Sequence, residues 1–463
     1  MAHTIAITDG TTTITLTPAN GYRVEGYTPK APESTLSGAV PLSQVAQAAL
    51  AATVAETVDL WPTAATTVLM QTKIAELERL LETARRYQQT GIGSPVYWQF
   101  QPDGDSVNWR SELLDARLDS QEELLKLWGN ATVPMNLFIL RRGFFEAVTA
   151  VALPLTNTSA TRTTSGLTIY NHDDTGTEHD NYAELAAADV AGALPSPVIL
   201  ELTNNSGATK QYQEIHIATN AFANPATLTQ VIEAEDTVVS GYGTAASSAD
   251  CSGYVAVTHV NSYVTKTING ASQMQFDLSA TVMQKCAGND FHILARFNNA
   301  FTAYIRPSIY DAAATVQLRR GDEVEVTVLA QAITDLGILP IPPGGYSASW
   351  GAGRLVLDIR TASSQAVEID CFFLMPAIAY RRLTCVKTLA GNGKLTDDPC
   401  ADRAYMTISS VEYPYVVRRG APVQVWPNTL QRLYFAWSLS DHSAPITETF
   451  SVKAWHRPRR VIV

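Results

Sequence analysis

Hydrophobic and polar residues alternate along much of the chain with a period of two. Clear examples are Ile14-Thr15-Leu16, Val198-Ile199-Leu200-Glu201-Leu202 and Val324-Glu325-Val326-Thr327-Val328. Because successive side chains of a strand point to opposite faces, such segments place every second side chain in a core. Gly and Pro are scattered between these segments, as at turns. The pattern predicts a mainly β protein whose bulk is β-sandwich.

One segment has a helical period instead. Between residues 68 and 87, apolar side chains recur every three or four positions, at Ile74, Leu77, Leu80, Leu81, Ala84 and Tyr87. Gly91 follows and is suited to a left-handed C-terminal cap. The spacing predicts one long amphipathic helix among the strands of the first domain.

The segments divide the chain into three predicted domains. Residues 1–150 are expected to form a β-sandwich or split barrel that carries the helix. Residues 226–380 have the length of one sandwich domain, whereas the strands after them are too few for a domain of their own. We therefore expect residues 151–225 and 381–463 to form one discontinuous sandwich into which residues 226–380 are inserted.

The charge of the chain excludes some classes of partner. Lys and Arg number 33 against 44 Asp and Glu, which gives a net charge of −11. Specific nucleic-acid binding is not expected, because phosphate binding needs clustered Lys and Arg. No apolar run approaches the roughly 18 residues of a membrane span, so membrane insertion is not expected either. The start, MAHTIAITDG, lacks the pattern of a signal peptide, which predicts synthesis in a cytoplasm.

The sequence contains no motif that indicates catalysis. No serine lies in a G-x-S-x-G elbow, the eight histidines are dispersed, and nothing singles out a carboxylate pair. The five cysteines form no C-x-x-C pair and are interpreted as buried thiols, with a Cys251–Cys286 disulfide as the alternative. We do not expect the protein to be an enzyme or to require a cofactor.

A dense set of potential metal ligands lies at His172-Asp173-Asp174 and Glu178-His179-Asp180. Carboxylates and imidazoles this close together can hold a divalent cation. The spacing of an EF-hand is absent, and the segment follows a predicted strand. A solvated acidic turn is therefore the preferred interpretation.

Several segments taken together resemble minor tail proteins of tailed bacteriophages, close in organisation to distal tail proteins. They are Ile14-Thr15-Leu16, Ile74-Ala75-Glu76-Leu77-Glu78-Arg79-Leu80-Leu81, Tyr97-Trp98-Gln99-Phe100-Gln101-Pro102-Asp103-Gly104-Asp105, Gly192-Ala193-Leu194-Pro195-Ser196-Pro197-Val198-Ile199-Leu200-Glu201-Leu202, Val425-Trp426-Pro427-Asn428, Arg432-Leu433-Tyr434-Phe435 and Trp455-His456-Arg457-Pro458-Arg459. The resemblance implies a structural protein of the virion tail, made in the host cytoplasm. It also implies that the first domain assembles into a ring with copies of itself, hexameric in the family, beside tail tube and tail hub proteins.

The inserted region is similar to galactose-binding-like, carbohydrate-binding jelly rolls. The similarity rests on Ile232-Glu233-Ala234-Glu235-Asp236 at its start and Ile369-Asp370-Cys371-Phe372 at its end. It implies a structural calcium site with Glu233, Glu235 and Asp370 as ligands. The two glutamates, two apart on a predicted strand, are expected on the same face; the alternative is that they face solvent at a strand edge.

Binding of a host-surface polysaccharide would need an exposed aromatic ring to stack on the sugar. Tyr346 and Trp350 are the first candidates, because they lie in a Pro/Gly-rich loop where packing demands are weaker. The amides of Asn289, Asn298 and Asn299 could contact the hydroxyl groups of the sugar. The alternative to a tail role is a stand-alone carbohydrate-binding module protein.

Overall fold

The computed structural model describes residues 3–25, 27–32, 52–120, 134–158, 160–171, 180–219, 231–248, 251, 262–328, 330–341, 351–441, 443 and 448–461. The chain divides into two compact units. The first contains Met1–Val151, Ala191–Ser196 and Arg457–Val463, and the second contains Ala152–Val190 and Pro197–His456.

The first unit is a curved sheet covered by a long helix. Its elements begin with β1 (Thr4–Thr8), β2 (Thr13–Thr15), β3 (Tyr22–Glu25), β4 (Thr53–Pro62), helix α1 (Thr67–Thr90), β5 (Tyr97–Gln101), β6 (Trp109–Ser120), β7 (Met135–Arg142) and β8 (Phe145–Ala147). The strand order is β2-β1-β5-β6-β7-β4-β3, and β8 pairs with β6. The long strand β6 therefore takes part in both halves of the sheet.

Helix α1 covers the inner face of this sheet, as its sequence period predicts. Leu77, Leu80, Leu81 and Ala84 are buried in the core of the first unit. The Thr66 side chain accepts a hydrogen bond from the Leu69 amide at 3.3 Å and caps the first turn. Gly91 ends the helix in the left-handed conformation with φ of 67°. The predicted helix is confirmed.

The second unit contains two β-sandwiches. The strands that precede the inserted region are β9 (Val151–Leu153), β10 (Leu155–Asn157), β11 (Ala160–Thr163), β12 (Leu167–Tyr170), β13 (Tyr182–Leu185), β14 (Ser196–Asn204) and β15 (Tyr212–Thr219). The inserted region contains β16 (Val231–Glu233), α2 (Ala234–Thr237), β17 (Thr244–Ser247), β18 (Ser262–Ile268), β19 (Ala271–Leu278), α3 (Ala280–Cys286), β20 (Asp290–Phe297), β21 (Phe301–Asp311), β22 (Gln317–Arg320), β23 (Val324–Val328), β24 (Ala332–Pro340), β25 (Gly353–Arg360) and β26 (Gln365–Pro376).

The chain then returns to the interrupted sandwich. Its strands are β27 (Tyr380–Cys385), β28 (Lys394–Asp398), β29 (Arg403–Ile408), β30 (Val411–Tyr413), β31 (Val416–Gly420), β32 (Gln424–Val425), β33 (Gln431–Leu439) and β34 (Thr449–His456). We call this discontinuous domain the carrier sandwich and the domain formed by β16–β26 the inserted sandwich. The final strand, β35 (Arg459–Arg460), pairs with β8 of the first unit.

Each sandwich closes on a core of its own. In the carrier sandwich the sheets run β11-β10-β13-β33-β15-β27-β31 and β12-β34-β14-β28-β29-β30, and the rings of Tyr212 and Trp437 pack on Phe450 between them. In the inserted sandwich the sheets run β17-β18-β26-β20-β24 and β19-β25-β21-β22, with Phe276 packed on Phe372. The first strand β16 lies beside the last strand β26, so the insertion begins and ends at neighbouring positions.

The predicted fold class is confirmed: the described residues are mainly β, and they contain one long helix and two sandwiches. Residues 191–196 and 457–463, which the sequence analysis assigns to the discontinuous domain, pack with the first unit instead. Arg459 accounts for this placement, because its backbone pairs with Leu194 and Glu146, and its guanidinium lies 3.2 Å from the Glu146 carboxylate. All five cysteines lie among the described residues, and none forms a disulfide. No helix in the described part of the chain is long and apolar enough to cross a membrane.

Candidate functional site

The acidic residues expected at the ends of the inserted region come together in part. Glu233 ends β16 and pairs with Cys371 of β26, so Asp370 lies next to it in the sheet. One ligand atom from each of Glu233, Asp370 and Cys371 lies within 4.8 Å of the others. Asp370 and Cys371 are buried, and Glu233 is half-buried. We call these three residues the acidic cluster.

Glu235 does not lie where the strand period places it. The sequence analysis expects Glu233 and Glu235 on the same strand face, and this expectation is wrong. After Glu233 the backbone turns into the short helix α2, where the Val238 amide bonds to the Ala234 carbonyl at 2.9 Å. The Thr237 hydroxyl donates to the Glu233 carbonyl at 2.8 Å and stabilises this turn. Glu235 therefore lies on a helical turn, and it is not among the residues whose ligand atoms lie within 4.8 Å of one another.

The acidic cluster also contains a buried cation. The Nε atom of Arg296 lies 3.2 Å from Oδ2 of Asp370, and both side chains are 1% exposed. A second nitrogen of Arg296 donates to the Asn171 carbonyl at 3.4 Å. A buried carboxylate is strongly destabilising unless a counter-charge accompanies it, so Arg296 stabilises the ionised form of Asp370.

The donor set fits an oxygen-preferring cation such as calcium. Glu233 and Asp370 supply carboxylate oxygens, which calcium binds well. The Cys371 thiol would not serve as a calcium ligand, because thiolates prefer softer metals. Cys251 lies nearby, and burial, followed by the charge of Asp370, raises the pKa of its thiol well above the ordinary range.

The other ligand candidates are only partly within the described residues. Tyr346 and Trp350 lie outside them, as do residues 172–179 of the His/Asp-rich segment. Asp180 is described and accepts hydrogen bonds from the amide and the hydroxyl of Thr158, at 2.8 and 2.6 Å. This contact gives Asp180 a structural role in the carrier sandwich.

The amides proposed for sugar binding have structural partners. The Asn298 side chain donates to the Glu368 carboxylate at 2.7 Å. Asn299 donates to the Ala366 carbonyl and accepts from the Glu368 amide, at 2.9 and 3.0 Å. These bonds join the β20–β21 turn to β26, so the two amides support the fold of the inserted sandwich.

A second candidate surface is formed by the ends of the sheet in the first unit. Among the described residues, β2 pairs with β1 alone and β3 pairs with β4 alone. Leu16 donates to the Ile5 carbonyl and Asp9 to the Thr12 carbonyl, at 2.8 and 3.2 Å. Because antiparallel hydrogen bonds alternate along a strand, the Thr13 amide and carbonyl point away from β1. Strand β2 thus offers backbone groups to a further strand.

The same alternation holds at the other end of the sheet. The Thr63 amide donates to the Gly21 carbonyl at 2.8 Å, and β3 continues the ladder along β4. The backbone groups of Val24 therefore point away from β4. Arg23 and Glu25 flank this position and form an exposed ion pair at 2.5 Å. Charged side chains on an edge strand favour specific over indiscriminate pairing.

An enclosed ion pair and an aromatic stack were not predicted from the sequence. Arg141 and Glu56 pair inside the first unit at 2.7 Å, and two histidines stack on Tyr380 in the second unit. The burial of Arg141 could have been predicted from the alternation along β7, because Arg141 points to the same face as Leu137 and Ile139. The histidines carry no comparable signal, since they are far from Tyr380 in sequence.

Comparisons with known proteins do not identify the chain. No family model matches the sequence, and no curated protein is similar to it. Among solved structures, the chain is similar to one from the phage P2 baseplate in its activated conformation with Ca. That match has 10% identity and a TM-score of 0.26, and it covers 78% of this chain and 99% of the other. A likeness at this TM-score does not establish a shared fold, and neither fold nor function is transferred from it.

Proposed function

We propose that the protein is a non-enzymatic structural component of a phage tail tip or baseplate. In this proposal the first unit assembles with copies of itself into a ring, hexameric as the family resemblance implies, at the distal end of the tail tube. The ring contacts the tail tube and tail hub proteins. The two sandwiches of the second unit face partner proteins or host glycans.

The observation that carries the proposal is the pair of open edges in the first unit, where the described residues add no further strand to β2 or to β3. Backbone groups of Thr13 on β2 and of Val24 on β3 point away from their own sheet. An exposed edge is satisfied when a neighbouring chain adds a strand, and two different edges on one subunit allow head-to-tail contacts that close into a ring. Helix α1 covers the inner face of the sheet, which leaves the edges and the outer face for neighbours.

The outer face of β4, β7 and β6 gives further contact area. Phe138 and Leu140 point outward from β7, and the Arg117 guanidinium lies 5.1 Å from the centre of the Phe138 ring. Thr57 and Asp115 flank them and line an open groove of about 320 Å³. An outer sheet face with half-buried apolar side chains is suited to a protein contact.

The experiment measures the mass of the full chain by sedimentation velocity, alone and with the tail tube protein of the same phage. Rings seen by negative-stain microscopy, and labelling of the tail end of intact virions by an antibody to the chain, are the expected results. A chain that stays monomeric with the tube protein and is absent from virions would contradict the proposal.

The inserted sandwich is proposed to bind calcium at the acidic cluster and host polysaccharide through Tyr346 and Trp350. When bound, calcium would link β16 to β26 through Glu233, Glu235 and Asp370 as a structural clip. Glycan binding is tested on a panel of surface polysaccharides from candidate hosts. Binding that is lost in Trp350→Ala but kept in Tyr242→Ala is expected, and equal binding by both variants would contradict this assignment.

A further inference from the structure

The inserted sandwich packs on the carrier sandwich through a buried contact within the second unit. Apolar side chains from both domains form one cluster there, including Leu294 and Phe373 from the inserted sandwich and Tyr434 and Ala436 from the carrier. We call this contact the seam. Ionisable side chains gather at the seam: Glu214, His216, Tyr380 and Arg382 of the carrier, and His292 and Asp335 of the inserted sandwich.

The ring of Tyr380 lies between two imidazoles. Its centre is 4.0 Å from that of His292, with 30° between the planes, and 5.9 Å from that of His216, with 19° between the planes. The hydroxyl of Tyr380 lies 2.6 Å from Nδ1 of His216. His216 is fully buried and Tyr380 is 3% exposed. The His292–Tyr380 stack joins the two domains directly.

Each imidazole has a carboxylate on its other side. Nδ1 of His292 lies 3.1 Å from Oδ2 of Asp335, and Nε2 of His216 lies 3.3 Å from Oε2 of Glu214. Glu214 has a permanent counter-charge, because Arg382 lies 3.1 Å from it. Within the described part of the chain, the basic side chain at ion-pair distance from Asp335 is His292.

The charge balance across the seam depends on the two imidazoles. Burial acts to raise the pKa of Glu214 and of Asp335, but hydrogen bonds and positive charge from His216 and His292 hold both pKa values below the ordinary range. The charge of Asp335 acts to raise the pKa of Glu214, which shows that the two carboxylates repel each other across the seam. With neutral imidazoles, Arg382 beside Glu214 and the Gly337 amide beside Asp335 partly offset this repulsion. Protonated imidazoles offset it fully and add a cation–π contact to Tyr380.

We propose that the seam is a pH-sensitive joint, in which protonation of His216 and His292 holds the inserted sandwich more tightly on the carrier. Histidine is the side chain whose charge changes between about pH 5 and 8, which sets the pH range in which the joint responds. The carboxylates set the limit of this range on the acidic side. Because their folded pKa values are depressed, their contribution is complete above the unfolded values of about 4 and is lost as pH falls through the folded values. The joint is therefore expected to be tighter at pH 5.5 than at pH 8.

The experiment is hydrogen–deuterium exchange of the full chain at pH 5.5 and pH 8, corrected for the intrinsic exchange rate. Peptides that cover β20 and β27 report the seam, and peptides of α1 serve as an internal reference. The seam peptides are expected to be about three- to tenfold better protected at pH 5.5, in keeping with one cation–π contact and two ion pairs. The α1 peptides are expected to show no such change.

Two variants separate the joint from a merely structural role. His292→Phe keeps the stack on Tyr380 but cannot be protonated, so the seam should lose most of its pH dependence. Asp335→Asn removes the like charge, so protection at pH 8 should rise towards the value at pH 5.5. A structural role alone predicts weaker protection in both variants at both pH values, and that result would overturn the proposal.

His456→Gln is the matched control. His456 is a buried histidine on β34, in the other sheet of the carrier, and burial lowers its pKa to about 4, so it stays neutral between pH 5.5 and 8. The control variant should keep the pH dependence of the seam peptides. Equal pH dependence in wild type and His292→Phe would also show that the histidines do not control the joint.

Discussion

Arg141 and Glu56 form an ion pair that is completely enclosed in the first unit. Arg141 reaches both carboxylate oxygens, with Nη2 2.7 Å from Oε1 and Nε 3.1 Å from Oε2, and the side chains are 0% and 1% exposed. The Tyr27 hydroxyl and the Lys30 amide also donate to Glu56, at 2.8 and 2.6 Å. The Arg141 guanidinium lies 4.2 Å from the centre of the Phe145 ring. The pair fixes residues 27–30 to the sheet.

Removing one member of this pair should cost much more than removing both. Glu56→Gln leaves a buried guanidinium without its counter-charge, which destabilises by about 3–5 kcal/mol. Glu56→Leu with Arg141→Met should recover part of that loss, because the charge is removed although Tyr27 and Lys30 lose their acceptor. Urea unfolding followed by Trp fluorescence measures both, because Trp98 donates to Tyr27 within the same network. A single variant within about 1 kcal/mol of wild type would contradict the prediction.

The alternation of residues along β4 and β7 predicts which side chains of this network point into the core. In β4 the inward positions are Val54, Glu56, Val58 and Leu60, so the alternation already places Glu56 in the core. The same reasoning places Arg141 inward on β7. That the two meet depends on the pairing of β4 with β7, in which Glu56 faces Ile139. Residues 85 positions apart carry no local signal of that pairing.

The arrangement of side chains at the acidic cluster and at the seam could not be predicted from local sequence patterns. Helix α2 has only four residues, too few to establish a period, so Glu235 is expected on a strand although it lies on a helical turn. The stack of His216, Tyr380 and His292 depends on how two separately folded sandwiches pack. Packing between domains is set by surfaces that are far apart in the sequence, and alternation within a strand does not encode it.

We predict that any side chain at position 192 lowers the stability of the first unit, because the backbone of Pro458 and Arg459 lies directly against Gly192. Its φ is 112°, and a Cβ atom there would lie 2.9 Å from the backbone nitrogen and oxygen of Arg459. Gly192→Ala should lower the stability of the first unit by more than about 1 kcal/mol, because backbone strain and a backbone clash add. Gly104→Ala is the control, since its φ is 76° with open space around it. Equal melting temperatures for the two variants would show that β35 adjusts freely.

Calcium is predicted to stabilise the inserted sandwich through the acidic cluster. The free energy of unfolding should rise by about 2.7 kcal/mol when calcium is present at 100 times its dissociation constant, relative to excess chelator. Glu233→Gln removes one carboxylate charge and should abolish most of the increase. Glu412→Gln is the control, because Glu412 pairs with Arg403 at the surface of the carrier. Calorimetric transitions that do not change with calcium would contradict the prediction.

The open edge of β2 gives the sharpest test of ring assembly. The amide of Thr13 points away from β1, so Thr13→Pro removes a donor to a neighbouring chain without breaking a bond of the sheet itself. The variant should stay folded, within about 1 kcal/mol of wild type, yet fail to form rings in sedimentation experiments with the tube protein. Thr13→Ala is the matched control, because it loses the 2.8 Å hydroxyl contact with Thr8 but keeps the amide. Rings formed equally well by Thr13→Pro and Thr13→Ala would show that β2 does not join the subunits.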